Sequence, residues 1–200
     1  LIIGLIIGGR IGYVLIYNFN FYINNLVDIF KIWEGGMSFH GGLIGIIIAT
    51  AIFAKREKQN PFLYMDIVAL VAPIGIFFGR ISNFINSELY GKATNITWSV
   101  IFTKVDNVPR HPSQIYEALL EGVVLFLLLI YFKNKFLSRP GLISGLFLVF
   151  YSIFRFFVEF YRVPDEQLGY IFLNFTMGQV ISLIFMFSGL LLFYFKNENR

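Results

Sequence analysis

The 200-residue chain contains no cysteine. That absence excludes disulfides, thiolate metal sites and a cysteine nucleophile. Histidine is almost as scarce: there are two, at positions 40 and 111, too far apart to give local metal-ligand spacing. Charge is scarce as well. Only 14% of residues are Asp, Glu, Lys or Arg, where a soluble domain carries roughly 25%. What fills the gap is apolar: 57% of the residues are hydrophobic and the mean hydropathy is +0.71. This excludes an ordinary soluble domain and points to an integral membrane protein. The formal net charge of +4 is modest, so where the cations sit matters more than how many there are.

A helix needs about 20 mostly apolar residues to cross about 30 Å of hydrocarbon. Six runs meet or approach that length, near 1–17, 37–54, 62–80, 115–132, 141–161 and 177–195. The expected fold class is therefore all-α, a polytopic transmembrane helical bundle forming one integral-membrane domain over 1–200. The chain opens inside an apolar run without a signal-peptide pattern, so the expectation is a chain lacking its first helix. Glycines four apart (Gly4/Gly8/Gly12, Gly41/Gly45, Gly75/Gly79, Gly141/Gly145) mark faces where helix backbones approach in lipid. The short loops 54–61 and 131–140 and the tail 195–200 are rich in Lys and Arg. By the positive-inside rule these are cytoplasmic, and they alternate correctly with six spans. Segments 18–36, 81–114 and 162–176 then face the outside.

On that map the unusual polar residues converge. His40 enters the second span from outside, and GRISNFINSELYGKAT (residues 79 to 94) leaves the third. RHPSQIYEALLEG opens the fourth, while Arg155, Glu159 and Arg162 lie in the outer half of the fifth. Tyr151, Arg155 and Glu159 share a helix face at i, i+4, i+8. One account of Arg155 is a self-neutralising pair with Glu159 at the interface, with Arg162 snorkelling. The favoured account is an inward arginine meeting a polar or anionic group, since intramembrane arginine costs about 2.5–3.5 kcal/mol on insertion scales. The segment after Arg80 interleaves Asn83 and Glu88 with Ile81, Phe84 and Ile85, which suits a short helix or re-entrant segment better than a solvated loop. Arg80 and Lys92 suit phosphate. His111 reads equally as a cap or a site residue, and Asn95 and Asn174 begin weak glycosylation patterns. An anion transporter would place its arginines near the midplane between repeats, and no repeat is visible. A purely structural membrane subunit explains the helices but not the one-sided convergence.

The blocks GGMSFHGGLIG, GRISNFINSELYGKAT, RHPSQIYEALLEG, FYSIFRFFVEFYRVPDEQLG and MGQVIS, in that order, resemble the prolipoprotein diacylglyceryl transferase family from about residue 1 to 195. The resemblance implies a bacterial inner-membrane enzyme of seven helices, with its active site toward the outer face. Such enzymes move the diacylglyceryl group of phosphatidylglycerol to the lipobox cysteine thiol of a prolipoprotein, releasing glycerol 1-phosphate. The implied partners are phosphatidylglycerol, the prolipoprotein signal peptide and the bilayer, with no cofactor, metal or nucleic acid. The family's essential residues fall on His40, Arg80, Asn83, Glu88, Gly91, Tyr151, Arg155 and Glu159, and His111 matches a further motif histidine. His40 is then the candidate general base, and Arg80 and Arg155 the cations for the departing phosphate. Asn83, Glu88, Gly91 and His111 complete the implied lipid-binding set. The family usually has arginine where this chain has Lys92, which keeps the charge but not the bidentate fork.

Overall fold

The computed structural model describes residues 1–164 and 175–198, except the side chains of Phe39, His40, Asn197 and Glu198. It divides into two compact units, Leu1–Met65 and Asp66–Arg200.

In the first unit, α1 (Ile2–Ile16) packs on α3 (Phe39–Arg56). They are joined by the short helix α2 (Phe19–Asn24) and the 3₁₀ turns Leu26–Phe30 and Ile32–Glu34. The glycine spacing expected to mediate packing does so here. A Cβ on Gly45 would run into the Gly4 carbonyl, and one on Gly41 into that of Gly8. With lipid on both sides apolar burial gives little, so close backbone contact carries the association. Ser38 caps α3, its hydroxyl accepting from the Gly41 amide at 3.3 Å. Lys55 and Arg56 sit in the last turn, where the helix dipole favours cations.

The second unit takes in α4 (Pro61–Asn86) from Asp66 onward. A continuous helix, Ser113–Phe136, follows, made of α5 (Ser113–Glu117), a π-helical segment Ala118–Val124 and α6 (Leu125–Phe136). Then come α7 (Leu142–Val158) and α8 (Met177–Glu198). Its apolar core gathers Ala69, Leu125, Leu129, Phe136, Leu142 and Ile143. Asp66, fully buried, caps α7 from a different helix: its carboxylate accepts from the Gly141 amide (2.7 Å), the Ser144 amide (2.8 Å) and the Ser144 hydroxyl (2.6 Å). The start of α8 carries a capping box, in which Thr176 and Gln179 exchange side-chain to backbone hydrogen bonds of 3.1 and 3.3 Å. Where α7 and α8 meet, a Cβ on Gly145 would crowd the Gly189 carbonyl at 3.2 Å.

A helix covers each of the six apolar runs, and three are long and apolar enough to cross a membrane: Pro61–Asn86, Ser113–Phe136 and Met177–Lys196. The protein is a mostly helical membrane protein. One local expectation changes. Gly75 and Gly79 face open space: among the described residues nothing lies within 4 Å of where a Cβ would stand, so they do not join helices in this unit. The short helix expected after Arg80 is the end of α4, which stops at Asn86, and the outer stretch beyond it is irregular. It contains a two-stranded antiparallel ribbon, β1 (Val100–Ile101) with β2 (Pro109–Arg110). Residues 165–174, including Asn174 and part of the expected outer loop, lie outside the described residues.

Candidate active site

Antiparallel packing brings the C-terminal ends of α4 and α7 and the N-terminal end of α5 to one end of the second unit. Each end delivers charge. Arg80 comes from the last turns of α4, Glu117 and Glu121 from α5 and the π-helical segment, and Arg155 from the last turn of α7. Glu159 is the residue that closes α7, and Arg162 follows three positions later. Among the described residues six charged side chains therefore form one cluster, three guanidiniums against three carboxylates.

Glu117 sits at its centre, with no exposed surface. It accepts a hydrogen bond from Arg155, has Arg80 Nε at 3.1 Å, and has Arg162 Nη1 at 3.7 Å. Glu121, also without exposed surface, lies 3.5 Å from Arg80 Nη2 and 3.9 Å from Arg155 Nη1. Neither of its oxygens accepts a hydrogen bond among the described residues. Arg155 reaches Glu159 through Nη2 at 2.7 Å, and Glu159 accepts a further bond from the Thr176 hydroxyl at 2.9 Å. Both accounts of Arg155 thus hold in part. It pairs with Glu159 along its own helix, and it faces inward to carboxylates from another helix. Arg162 does not snorkel, because its side chain is only 7% exposed against the same cluster.

Burying six charges is costly unless each is paired. The shared carboxylates hold the arginine forks in fixed orientations, so little reorganisation is needed when an anion arrives. Arg80 and Arg155 keep 18% and 12% side-chain exposure, more than any other member of the cluster. They are the two that can offer donors outward.

The signature segment is helical to Asn86 and then turns sharply, with Ser87 and Leu89 at φ of 63° and 53°. Asn83 donates to Glu88 at 2.9 Å, while the Glu88 carbonyl accepts from the buried Gln114 amide at 2.6 Å. No hydrogen bond or ion pair among the described residues links Asn83 or Glu88 to the arginine cluster. Gly91 is threaded between two backbones. Its amide donates to His111 O at 3.0 Å, it bridges Arg162 in antiparallel fashion, and a Cβ would collide with the carbonyls of His111 and Tyr161. Lys92 contributes its backbone, donating to Tyr161 O at 2.8 Å and accepting from the His111 amide at 3.0 Å. That contact does not depend on which cation stands there.

His111 is half-buried, its Nδ1 3.3 Å from the Tyr116 hydroxyl, which also accepts from Trp98 at 2.8 Å. Its ring meets Tyr161 edge-on at 5.1 Å. Desolvation holds its pKa below the ordinary 6.5. Arg110 next to it pairs with Asp106 at 2.5 Å and lies over the Tyr90 ring at 4.9 Å. This ties the ribbon to the signature segment. Tyr151 stacks on Phe147 at 5.7 Å, one turn before Arg155. The His40 backbone stands in the first turn of α3 in the other unit, and its side chain lies outside the described residues.

The sequence marks Glu117 only as part of a helix start and gives Glu121 no role of its own. The signal was present: two acids four apart in an otherwise apolar run, which puts both near one face.

A family model described as "Prolipoprotein diacylglyceryl transferase" matches residues 1–195. A phosphatidylglycerol–prolipoprotein diacylglyceryl transferase of Rickettsia bellii (strain OSU 85-389) is 55% identical over 201 aligned positions, covering 100% of this chain and 76% of the relative. The proteins of the same name from Rickettsia akari (strain Hartford) and Rickettsia felis (strain ATCC VR-1525 / URRWXCal2) are 53% and 52% identical over 190 positions. Each alignment covers 94% of this chain and 73% of the relative.

Proposed function

Since the chain belongs to the prolipoprotein diacylglyceryl transferase family, we propose that it transfers the diacylglyceryl group of phosphatidylglycerol to the lipobox cysteine of prolipoproteins. The observation that carries the site assignment is the buried cluster in which Arg80 and Arg155 share Glu117 and Glu121. The sulfur attacks the diacylglyceryl carbon that bears the phosphate ester. A C–S bond forms, the C–O bond breaks, and glycerol 1-phosphate leaves with the bonding pair. Negative charge grows on the leaving oxygen, and Arg80 and Arg155 are the donors suited to it.

The thiol proton needs an acceptor, and His40 takes that role in this reading. Asn83 and Glu88 orient the glycerol hydroxyls, and Glu159 and Tyr151 hold Arg155. Gly91 and His111 shape the wall of the lipid site. The chain works as one catalytic domain, its six helical runs spanning a bacterial inner membrane as part of a seven-helix fold. The motif end faces outward, so that lipid headgroup and signal peptide meet there. The alternation of basic loops supports this orientation.

The test is incubation of the detergent-solubilised full-length enzyme with phosphatidylglycerol and a lipobox peptide, following glycerol 1-phosphate. Release proportional to peptide lipidation is expected. Intact phosphatidylglycerol bound without release would refute transfer. Full turnover of His40→Gln across the pH range would refute the base assignment alone.

A further inference from the structure

Arg10 lies within the apolar helix α1 and is only 4% exposed, yet no carboxylate pairs with it among the described residues. All its hydrogen bonds go to neutral carbonyls, and all five of those carbonyls belong to one nine-residue stretch. Nε donates to Ile29 O (2.8 Å), Nη1 to Gly35 O (2.6 Å) and Gly36 O (3.2 Å), and Nη2 to Asp28 O (2.6 Å) and Lys31 O (3.2 Å). The planar fork is used to its capacity of five donors. Tyr22 covers it at 5.1 Å.

The turn it grips is one that only glycine fits. Gly35 and Gly36 have φ of 84° and 78°, in the left-handed region, and a Cβ on Gly36 would press on Arg10 Nη1 at 2.9 Å and on the Tyr13 ring. Immediately after this turn the Ser38 amide donates to Gly9 O at 2.8 Å, Ser38 caps α3, and His40 follows in the first helical turn. Gly9 and Arg10 thus fix both the turn and the launch point of α3.

We infer that Arg10 is a positioning residue for His40, setting where the first turn of α3 begins through the carbonyls of residues 28–36. This rests on the reading of His40 as a site residue. A buried arginine must satisfy all five of its donors, but here all five converge on the single stretch that leads into a functional helix end and so define its conformation. Lysine cannot replace it, because a single ammonium has three donors on one atom and no fork.

The test uses Arg10→Lys and, as a second perturbation of the same turn, Gly36→Ala, both in the full-length enzyme. Amide hydrogen exchange over 28–38 should speed at least tenfold in each, with α7 and α8 amides unchanged. Turnover per folded enzyme should fall at least tenfold while KM for phosphatidylglycerol stays within twofold. The double variant should be no worse than the worse single one, because both break one device. In a His40→Gln background the surviving turnover should be insensitive to Arg10→Lys. A further tenfold loss there, unchanged exchange over 28–38, or faster exchange with kcat intact would each overturn the inference. If Arg10→Lys fails to accumulate, Gly36→Ala decides by the same criteria. Full turnover of His40→Gln alone instead overturns the underlying reading, without reference to Arg10.

Discussion

Glu117→Gln is the substitution that most directly probes the cluster. Glutamine keeps the volume but removes the one carboxylate that, among the described residues, lies within 4 Å of all three arginines. Three guanidiniums are then left facing two carboxylates, and the glutamine NH₂ cannot accept from either neighbour. Breaking a buried ion pair by removing one partner costs about 3–5 kcal/mol. Because Glu117 is wholly buried, solvent relieves little of this. If about 3 kcal/mol of the arginines' orientation acts only on the transition state, kcat falls roughly 100-fold, since each 1.36 kcal/mol is a factor of ten. Glu117→Asp keeps the charge on a shorter stem and should lose less. The assay is glycerol 1-phosphate release in micelles at saturating phosphatidylglycerol, normalised to folded protein, with the thermal midpoint measured in parallel. A Glu117→Gln enzyme within threefold of wild-type kcat would show that the cluster is structural packing and not the anion-handling part of the site.

Arg155→Lys should lose most activity while the protein still accumulates in the membrane, because a single ammonium lacks the planar fork whose separate nitrogens meet Glu117 and Glu159; near wild-type turnover would remove Arg155 from the reacting centre. Asp66→Asn should lower the thermal midpoint by several degrees and leave kcat per folded enzyme unchanged, since it weakens three hydrogen bonds at the other end of α7 from Arg155. His111 is held below its ordinary value of 6.5, so the folded state binds fewer protons than the unfolded one there. Its contribution is complete above pH about 6.5 and falls away as the pH drops below that value, so wild type should lose more stability between pH 7 and 5 than His111→Gln.

The helices were readable because apolar runs of spanning length admit little else in lipid. Arg155 with Glu159 was readable because i, i+4 spacing is local. Glu121 was readable only as the i+4 partner of Glu117; its importance comes from Arg80 and Arg155 on two other helices, which local spacing does not name. Gly91 could be marked as a motif glycine, but its reason lies in the backbones of His111 and Tyr161 closing on it from later in the chain. The ribbon escaped because two-residue strands carry no periodicity. Arg162 looked like a snorkelling residue from its place after the helix, and only the tertiary fold turns it onto Glu117.

The π-helical segment between α5 and α6 has a consequence for how the site tolerates change in chain length. An α-helix advances about 100° per residue, and a π turn accommodates an additional residue relative to that phase. The buried Leu125 and Leu129 below and the carboxylates above are therefore set in two different angular phases of one rod. Straightening Ala118–Val124 into α geometry at constant length would add about 100° between them, so with the core leucines seated Glu117 would swing about a quarter turn away from Arg80 and Arg155. Removing one residue from the segment would instead delete the π turn and the extra residue together, leaving Glu117 and the leucines in their present phases. The site therefore tolerates a one-residue deletion here, whereas a one-residue insertion or deletion in the α-helical turn between Leu125 and Leu129 breaks the charge cluster.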